Sequence, residues 1–452
     1  MAITRLLIAN RAEIAVRVVR ACRDLGIETV LAVSEADRGS LASRLADRTV
    51  CVGPASPGQS YLNIPALLTA ALETGCDAVH PGYGFLSENA DFVEACTENG
   101  LTFVGPSVDT MRLLGDKLTA RTTAAAAGIP IVPGGTVDAD SVDPQAVIAE
   151  VGLPLLVKAA AGGGGRGLRR VDSAEALAPT LAESAAEARA AFGDATLYVE
   201  RYLGNARHIE VQVFGDQHGN VVHLFERDCT TQRRYQKLLE EAPSPVLDAA
   251  TRARITDDAS LLARKMGYEG AGTVEFLYDT NTGEHFFIEM NTRLQVEHPV
   301  TEVLTGLDLV TLQLRVAAGE PLPMTQDDVR AQGHVIEFRV NSEDAHQGFR
   351  PAAGPVDEWR APAGPWVRVD THVEQGHLVS PFYDSLLAKL IVSGRTREEA
   401  LARARRAVRE FKAAGVPTTL PFHEWLLDHP DFINSTLHTT WVDSNWKGST
   451  SS

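Results

Sequence analysis

The chain has 452 residues, which at about 150 residues per domain corresponds to roughly two to four domains. Hydrophobic residues make up 44% and charged residues 22%, values typical of a folded globular protein. Lys and Arg total 42 against 59 Asp and Glu, and this net charge of −17 argues against a surface built to neutralise nucleic-acid phosphates, while leaving room for local basic pockets. No apolar run approaches the roughly 18 residues of a membrane span, and the first residues predict a strand rather than a signal peptide. We therefore expect a cytoplasmic protein with no nucleic-acid or membrane partner.

The five cysteines are widely spread, and none forms a Cys-x-x-Cys pair that would indicate zinc or redox chemistry. We interpret them as reduced thiols that serve packing. They are Cys22, Cys51, Cys76, Cys96 and Cys229.

The first 115 residues alternate short apolar runs with amphipathic stretches. The run Leu6–Ala9 is followed by apolar residues at helical spacing between 14 and 25, and then by the run Thr29–Val33. Further strands are predicted at 78–80 and 102–106, with an amphipathic segment between them. This βαβ order predicts a parallel, doubly wound sheet.

The middle of the chain has a different pattern. Residues 129–146 are rich in Pro, Gly and Asp, which predicts a loop or a domain boundary. Residues 153–214 read as a strand, a glycine loop, a strand, a long Ala-rich helix near 174–192, and two strands. This order predicts a small α+β subdomain.

Two hairpins and a C-terminal α+β region are predicted next. The hairpins turn near 216–220 and 279–284, and a strand follows at His334–Asn341. Thr396 and Glu399 form a capping-box pattern that opens a helix, which we expect to close near Gly415. Residues 447–452 read as a flexible tail. The predicted fold class is therefore α/β.

Four consecutive glycines stand in the segment Gly162–Gly167, directly after the apolar strand 153–158. Such a run costs backbone entropy, and it lets backbone N–H groups approach an anion such as a phosphate chain. The segment formally satisfies Gly-x-Gly-x-x-Gly, but residues 168–171 predict a strand where a dinucleotide-binding fold needs a helix. No Gly-Lys-Ser/Thr follows, as it would in a P-loop. We expect a mobile β-loop-β flap over a nucleotide, with a merely flexible turn as the alternative.

Two lysines are further candidate partners for phosphate oxygens. Lys158 ends the strand before the flap, and Lys117 precedes a helix. Each taken singly is more often a solvated surface lysine, so only their context favours the binding role.

Polar and apolar residues alternate from Glu289 to Glu297. In an extended chain a period of two puts Glu289, Asn291, Arg293, Gln295 and Glu297 on one face. We expect Glu275 to face Glu289 across a hairpin, where a divalent cation would relieve the repulsion between the two carboxylates. Arg293 would then orient an oxyanion and Glu297 would serve as a base. A solvated strand face is the alternative.

Two further features are ambiguous by themselves. The charged stretch Gln232–Glu241 has the composition of a solvated face. His208, on a predicted strand at 207–213, either contacts phosphate or caps a sheet edge.

Three long strings resemble the biotin carboxylase family, the ATP-grasp component of acetyl-CoA, propionyl-CoA and pyruvate carboxylases. They are His80–Asn89, Arg227–Cys229 and Glu289–Pro299. The resemblance covers almost the whole chain, from Ile8–Arg11 to Lys389–Val392 and the helix after it. It implies that bicarbonate attacks the γ-phosphate of ATP to give carboxyphosphate, whose CO2 is captured by the ureido nitrogen of biotin.

The resemblance implies a role for each matching residue. ATP would be bound by Lys117, Lys158, Gly164, Gly165, Glu200, Arg201, Tyr202, Leu203 and His208. Magnesium or manganese would be held by Glu275, Glu289 and Asn291. Bicarbonate would be surrounded by Lys237, Arg293, Gln295 and Val296. Glu297 would take the bicarbonate proton, and Arg339 would stabilise the biotin enolate. The catalytic candidates are thus Lys237, Arg293, Glu297 and Arg339.

The same resemblance implies the domain organisation and the partners. It divides the chain into an N-terminal domain (1–115), an ATP-grasp domain (116–330) with a mobile lid at about 131–204, a C-terminal α+β domain (331–446) and the tail. The biotin-accepting sequence Ala-Met-Lys-Met does not occur. We therefore expect the biotinyl carrier on another chain or on a portion removed from this one. A carboxyltransferase and a second copy of the chain complete the expected partners, within an acyl-CoA carboxylase.

The sequence departs from the family pattern at three positions, one of which is Ala161 at the start of the flap, where another small residue or Gly is usual. Tyr235 stands where many members have a His that reaches the nucleotide, so an ATP contact is not carried over to it. Ala12 replaces a usual Gly after Asn10–Arg11.

Two alternative functions remain open. Another ATP-grasp ligase that activates a different carboxylate would share the flap and the metal ligands, but would not need Gln295–Glu297 or Arg339. A non-catalytic nucleotide-binding scaffold would be expected to lose a metal ligand or the base, and none is lost.

Overall fold

A computed structural model describes residues 2–138, 141–159 and 169–448 of the chain. For Lys117, Ala191 and Phe192 it describes the backbone alone. Gly164, Gly165 and the end of the predicted tail lie outside the described residues. Within the described ranges, no helix combines the length and the apolarity needed to cross a membrane.

The N-terminal part is a five-stranded parallel sheet in the order β3-β2-β1-β4-β5. Its strands are β1 (Arg5–Ile8), β2 (Glu28–Ser34), β3 (Arg48–Gly53), β4 (Ala78–His80) and β5 (Thr102–Phe103). Its helices are α1 (Ala12–Asp24), α2 (Leu41–Leu45), α3 (Ile64–Glu73), α4 (Ala90–Glu98) and α5 (Val108–Gly115).

Helices cover both faces of this sheet. Leu6 and Ile8 pack in one buried cluster with α1, while Leu7 and Ala9 pack in another with α3 and α4, as the period of two along a strand requires. The doubly wound sheet is therefore confirmed. The strand order reverses between β1 and β4, and the crevice at the carboxyl ends of these strands is a common position for ligand sites.

A four-stranded antiparallel sheet in the order β6-β9-β7-β8 follows. Its strands are β6 (Gly134–Val137), β7 (Leu155–Ala159), β8 (Arg169–Val171) and β9 (Leu197–Arg201). The helices in this region are α6 (Lys117–Ala126), α7 (Pro144–Val151) and α8 (Ala174–Phe192). Because β7 pairs with β8, the two strands predicted on either side of the glycine-rich segment are confirmed; residues 160–168 between them lie outside the described residues.

The prediction of a loop over 129–146 is wrong at β6. This strand pairs with β9, where a Cβ on Gly134 would stand only 2.2 Å from the carbonyl oxygen of Val199. Glycine is required here for close backbone approach within a sheet, so its presence indicated packing rather than a turn.

An eight-stranded sheet in the order β14-β13-β10-β11-β12-β15-β22-β20 forms the rest of the framework. Its first part contains β10 (Ala206–Gly215), β11 (Val221–Arg233), β12 (Gln236–Ala242), β13 (Gly270–Asp279) and β14 (Glu284–Asn291), with α9 (Ala249–Lys265), α10 (His298–Thr305) and α11 (Leu309–Ala317). Both predicted hairpins are confirmed, as β10–β11 and β13–β14.

The C-terminal part continues this sheet. Its strands are β15 (His334–Asn341), β16 (Glu343–Asp344), β17 (Arg350–Pro351), β18 (Gly354–Pro355), β19 (Glu358–Arg360), β20 (Val367–Thr371), β21 (Leu378–Val379), β22 (Leu386–Gly394) and β23 (Lys412–Ala414). Its helices are α12 (Arg397–Glu410), α13 (Leu420–Leu427), α14 (Pro430–Ile433) and α15 (Trp441–Asn445). Since β12 pairs with β15, the sheet runs without a break across residue 330.

Two predicted elements end earlier than expected. The prediction of an extended chain over 289–297 is wrong beyond Asn291, because β14 ends there. Glu297 is instead the N-cap residue of α10. Pro299 in the first turn of α10 explains the change, because proline suits a helix start and cannot donate to a sheet ladder. The helix opened by Thr396 ends at Glu410 rather than near Gly415, because residues 412–414 pair with β19.

Candidate functional site

Three carboxylates form one row across the eight-stranded sheet. Glu210 on β10 is the cross-strand partner of Glu275 on β13, which is in turn the partner of Glu289 on β14. Like charges directly opposite each other repel. The row therefore needs cations beside it.

Lys237 on β12 supplies one of these cations. Its Nζ lies 2.5 Å from Glu210 Oε2, 3.2 Å from Glu275 Oε1 and 2.7 Å from Glu297 Oε1. Burial alone would lower the pKa of Lys237, but the three carboxylates raise it well above its ordinary value. His208 lies on the other side of Glu275, with Nε2 3.1 Å from Glu275 Oε2.

Glu297 is fully buried between two cations. Its Oε1 accepts from Lys237, and its Oε2 accepts from Arg339 Nη2 at 2.9 Å. Burial would raise the pKa of this carboxyl, but the charges of Lys237, Arg339 and Arg227 outweigh burial and hold the pKa well below its ordinary range. Glu297 is therefore ionised, as a base must be.

Arg339 on β15 connects Glu297 with a pair of buried glutamates. Its Nε donates to Glu240 Oε1 at 2.6 Å, and Glu240 lies directly opposite Glu337 in the β12–β15 ladder. Burial raises the pKa of Glu240 to about 7, and it raises that of Glu337 well above its ordinary value. The backbone carbonyl of Arg339 accepts from Thr419 and His423, which fixes the strand at this point.

Arg293 is held by its neighbours in the turn between β14 and α10. Its Nε donates to Glu88 Oε2 at 2.8 Å, and its Nη1 donates to Gln295 Oε1 at 3.1 Å. Glu88 belongs to the loop after β4, so the N-terminal sheet takes part in orienting this arginine. Gln295 is buried, and its Nε2 has no acceptor among the described residues. That amide is free to donate to a bound anion.

The expected metal ligands lie together. Asn291 Nδ2 donates to Glu275 Oε1 at 2.9 Å, and Glu289 is opposite Glu275. Independently, His208, Glu210 and Glu275 bring one donor atom each within 4.8 Å of one another. Carboxylate and amide oxygens suit Mg2+ or Mn2+, so these residues fit the divalent cation that the resemblance implies.

The expected nucleotide residues are partly brought together by the small sheet. Lys158 on β7 forms a side-chain ion pair with Glu200 on β9, and its Nζ lies 3.0 Å from Glu200 Oε1. Tyr202 stacks against the guanidinium of Arg170 at 4.4 Å. Leu203 is partly buried in the turn after β9, and Lys117 begins α6.

Arg201, the last residue of β9, contacts the end of α7. Its Nε donates to the carbonyl of Val151 at 3.0 Å. The side chain is exposed, so its role in nucleotide binding stays a prediction.

Tyr235 stands in the turn between β11 and β12. Its side chain is 60% exposed. Burial, together with Tyr202, Asp443 and Glu200, raises its pKa. Tyr235 therefore lies within electrostatic range of two of the expected nucleotide residues.

Sequence reasoning missed several charged residues that build the site. They are Glu13, Glu88, Glu210, Glu240, Glu337 and Lys389. Two signals were present in the sequence: His208, Glu210 and Gln212 recur at a period of two within an apolar strand, and Lys389 is the one charged residue in the run Leu386–Val392. A charge within an otherwise buried strand indicates a specific partner.

Comparison with known protein families and structures gives a consistent result. Three family descriptions match: the biotin carboxylase N-terminal domain at residues 2–111, the carbamoyl-phosphate synthase L chain ATP-binding domain at 116–325, and the biotin carboxylase C-terminal domain at 337–444. Biotin carboxylase 1 of Bacillus subtilis is 48% identical over 443 residues, covering 98% of each chain.

Two solved structures are similar over nearly the full length. A biotin carboxylase from Campylobacter jejuni in a β-γ-ATP complex has a TM-score of 0.92 at 44% identity, covering 98% of this chain and 99% of that one. The biotin carboxylase domain dimer of the Hydrogenobacter thermophilus 2-oxoglutarate carboxylase, in complex with MgADP, ADP and bicarbonate, has a TM-score of 0.92 at 41% identity, with 100% of both chains covered. The chain belongs to the biotin carboxylase family, whose members are ATP-dependent ligases.

Proposed function

We propose that this chain is a biotin carboxylase that uses ATP and bicarbonate to carboxylate biotin on a carrier protein. The observation that carries the proposal is the position of Glu297, fully buried in contact with Lys237 and Arg339. An anion-binding pocket beside such a carboxylate can both hold bicarbonate and accept its proton.

The ATP end of the site rests on two sheets. Lys158 and Glu200 of the small sheet would bind the nucleotide together with His208. Glu275, Glu289 and Asn291 would hold the divalent cation, which neutralises phosphate charge when it is bound. The exposed Tyr235 would border the nucleotide from the β11–β12 turn.

The bicarbonate end rests on Arg293, Gln295 and Lys237. Arg293 is oriented by Glu88, and Gln295 offers a buried N–H without an acceptor among the described residues. Bicarbonate held here would attack the γ-phosphate of ATP while Glu297 accepts its proton. ADP leaves, and carboxyphosphate is formed.

Biotin would be carboxylated on the Arg339 side of Glu297. Carboxyphosphate releases CO2 and phosphate; the released phosphate takes the proton from the ureido nitrogen of biotin, and that nitrogen then takes up the CO2. Arg339 supplies a fixed positive charge for the enolate oxygen of biotin, because Glu240 and Glu297 hold its guanidinium in place.

The assembly and partners follow from the family. We propose that the chain acts within an acyl-CoA carboxylase, with the biotinyl carrier and the carboxyltransferase on other chains or domains. We also propose a homodimer, as named for the Hydrogenobacter domain. Sedimentation should then give a particle of twice the 48.6 kDa chain mass, and a mass of one chain would contradict the dimer.

The test is ADP release with magnesium-ATP and bicarbonate, measured with and without free biotin. We expect biotin to stimulate the wild type, and Glu297→Gln to lose the stimulation. Glu284→Gln is the matched control, because Glu284 is an exposed glutamate at the start of β14 and is not among the expected site residues. If neither bicarbonate nor biotin changes ADP release by the wild type, a different ATP-grasp ligase or a scaffold is the better interpretation.

A further inference from the structure

A buried lysine stands next to the reaction centre with no role in the function proposed above. Lys389 lies on β22 as the direct cross-strand partner of Arg339, and its side chain is 0% exposed. Lysine is almost never fully buried without a partner. Its contacts therefore indicate what it does.

Lys389 is bound on two sides. Its Nζ lies 3.0 Å from Glu13 Oε1, and it donates to the carbonyl oxygen of Val296 at 2.9 Å. Glu13 comes from the first turn of α1, whereas Val296 precedes Glu297 in the turn before α10. Lys389 thus connects α1 of the N-terminal part, the expected bicarbonate pocket and the eight-stranded sheet.

The bond to Val296 acts on the geometry of the base. The Val296 carbonyl and the Glu297 N–H belong to one planar peptide unit. A donor that fixes this carbonyl therefore fixes the plane from which the Glu297 side chain departs. Gln295 lies in the same segment. Displacement of this peptide would therefore alter the bicarbonate pocket more than it would alter the nucleotide-binding residues.

Glu13 in turn holds Lys389 in place. The hydroxyl of Tyr83 also donates to Glu13 Oε1, and the Lys389 ammonium lies 5.8 Å from the centre of the Tyr83 ring. Burial raises the pKa of Glu13, while Lys389 acts in the opposite direction. The ammonium therefore sits between one fixed carboxyl and one peptide carbonyl, with little freedom to move.

We propose that Lys389, held by Glu13, is a positioning residue for bicarbonate: it fixes the Val296–Glu297 peptide so that the base and the bicarbonate ligands keep their relative geometry. This inference rests on the proposed function. It predicts an effect on bicarbonate use that is separate from ATP use.

The test compares Lys389→Met with the wild type in biotin-dependent ADP release. Methionine keeps most of the aliphatic stem while removing the charge and the bond to Val296. We expect the KM for bicarbonate to rise at least tenfold, with the KM for ATP changing less than twofold. Glu13→Gln should raise the bicarbonate KM by a smaller factor, because Lys389 keeps its bond to Val296.

The matched control is Asp37→Asn. Asp37 accepts two hydrogen bonds from the buried guanidinium of Arg11, at 2.8 and 2.9 Å, in the same N-terminal part of the chain. No hydrogen bond of Asp37 reaches residues 293–297 in the described structure. This variant should unfold at lower temperature while its bicarbonate KM stays that of the wild type.

Each outcome decides the inference. An unchanged bicarbonate KM in Lys389→Met, or equal rises for bicarbonate and ATP, would overturn it; if that variant does not fold, an unchanged bicarbonate KM in Glu13→Gln would do the same. A wild type without biotin-stimulated, bicarbonate-dependent ADP release would overturn the proposed function instead. The two failures are therefore distinguishable.

Discussion

Glu240 and Glu241 are neighbours on β12 whose pKa values are shifted in opposite directions. Burial, opposed by Arg339, raises the pKa of Glu240 to about 7. For Glu241, hydrogen bonds and charges from His334 and Arg397 outweigh burial and lower the pKa to about 2. Successive side chains of a strand point to opposite faces, so adjacent positions have different electrostatic surroundings.

The raised pKa of Glu240 makes a prediction about stability. The folded state holds more protons than the unfolded state between the ordinary value of 4.5 and about 7, so this contribution to stability is present at low pH and lost as pH rises through that window. Between pH 5 and 7.5, Glu240→Gln should gain stability relative to the wild type by up to about 3 kcal/mol. Urea unfolding at both pH values measures this change.

Glu241→Gln provides the matched comparison. The lowered pKa of Glu241 contributes stability that is present above 4.5 and lost only as pH falls toward about 2. Its stability difference from the wild type should therefore change in the opposite sense to, or less than, that of Glu240→Gln between pH 5 and 7.5. Parallel curves for Glu240→Gln and Glu241→Gln would contradict the assignment.

Ala12 has a backbone conformation that favours glycine. Its φ is +61° at the start of α1, and an L-residue with a left-handed backbone costs roughly 1–2 kcal/mol relative to glycine. This is also the position where the sequence departs from the family's usual Gly. We expect Ala12→Gly to raise the free energy of unfolding by about 1 kcal/mol.

The matched comparison for Ala12→Gly is the same substitution at an alanine with ordinary helical backbone geometry. Ala253→Gly, at an exposed position of α9, should lower stability by about 1 kcal/mol through the helix propensity of glycine. Chemical denaturation of both variants measures the pair. A loss of stability in Ala12→Gly would show that Ala12 is not strained.

At the scale of elements, α12 begins with a cap that the sequence predicted only in part. The Thr396 side chain accepts from Glu399 N at 3.3 Å. In a capping box the Glu399 side chain would also accept from the backbone N–H of Thr396. Here Glu399 Oε2 accepts instead from the backbone N–H of Arg395, one residue earlier, at 3.1 Å. The capping-box pattern thus identified the helix start but not the second half of the hydrogen-bond pattern.

This cap gives a prediction for α12. Thr396→Ala should lower the free energy of unfolding by about 1 kcal/mol, because it leaves a backbone N–H of the first turn without its acceptor. Thr396→Ser keeps a hydroxyl at the same position and should recover most of that loss. Thermal unfolding of the two variants separates the cap from the methyl group, and equal losses in both would argue against the cap.

Elements were predictable from sequence where one local pattern determined them. The parallel sheet, both hairpins and the strand His334–Asn341 follow from apolar periodicity and turn residues. The end of β14 did not follow, because alternating residues continue to Glu297 while Pro299 favours a helix start. Strand β6 was missed because Gly134 is required by its neighbour β9, which lies more than 60 residues later in the sequence.

At the scale of the molecule, one continuous sheet explains how distant residues meet. Pairing of β12 with β15, and of β15 with β22, brings Lys237, Arg339 and Lys389 onto neighbouring strands. The candidate metal ligands and the candidate base could be grouped from the sequence because they cluster within one string or face each other across one hairpin. Glu240 and Lys389 were not, because their partners lie roughly 100 or more residues away and meet them only through the fold.

The row of carboxylates predicts a metal requirement for the whole reaction. ADP release should be lost when magnesium is omitted and should return when it is added. Glu289→Gln should raise the magnesium concentration for half-maximal activity at least tenfold, because one charged ligand is removed. Glu284 is exposed on the same hairpin, and Glu284→Gln should leave this magnesium concentration unchanged. An unaltered magnesium dependence in Glu289→Gln would show that Glu289 is not a metal ligand.

The most direct test of the central claim is transfer of carbon from labelled bicarbonate to free biotin, with magnesium-ATP. The wild type should form carboxybiotin, whereas Glu297→Gln and Arg339→Ala should each reduce its formation at least a hundredfold while retaining nucleotide binding. Glu297 and Arg339 meet at the point where the base and the enolate-stabilising charge are proposed to act. Label transfer by both variants at the wild-type rate, or none by the wild type, would contradict the account.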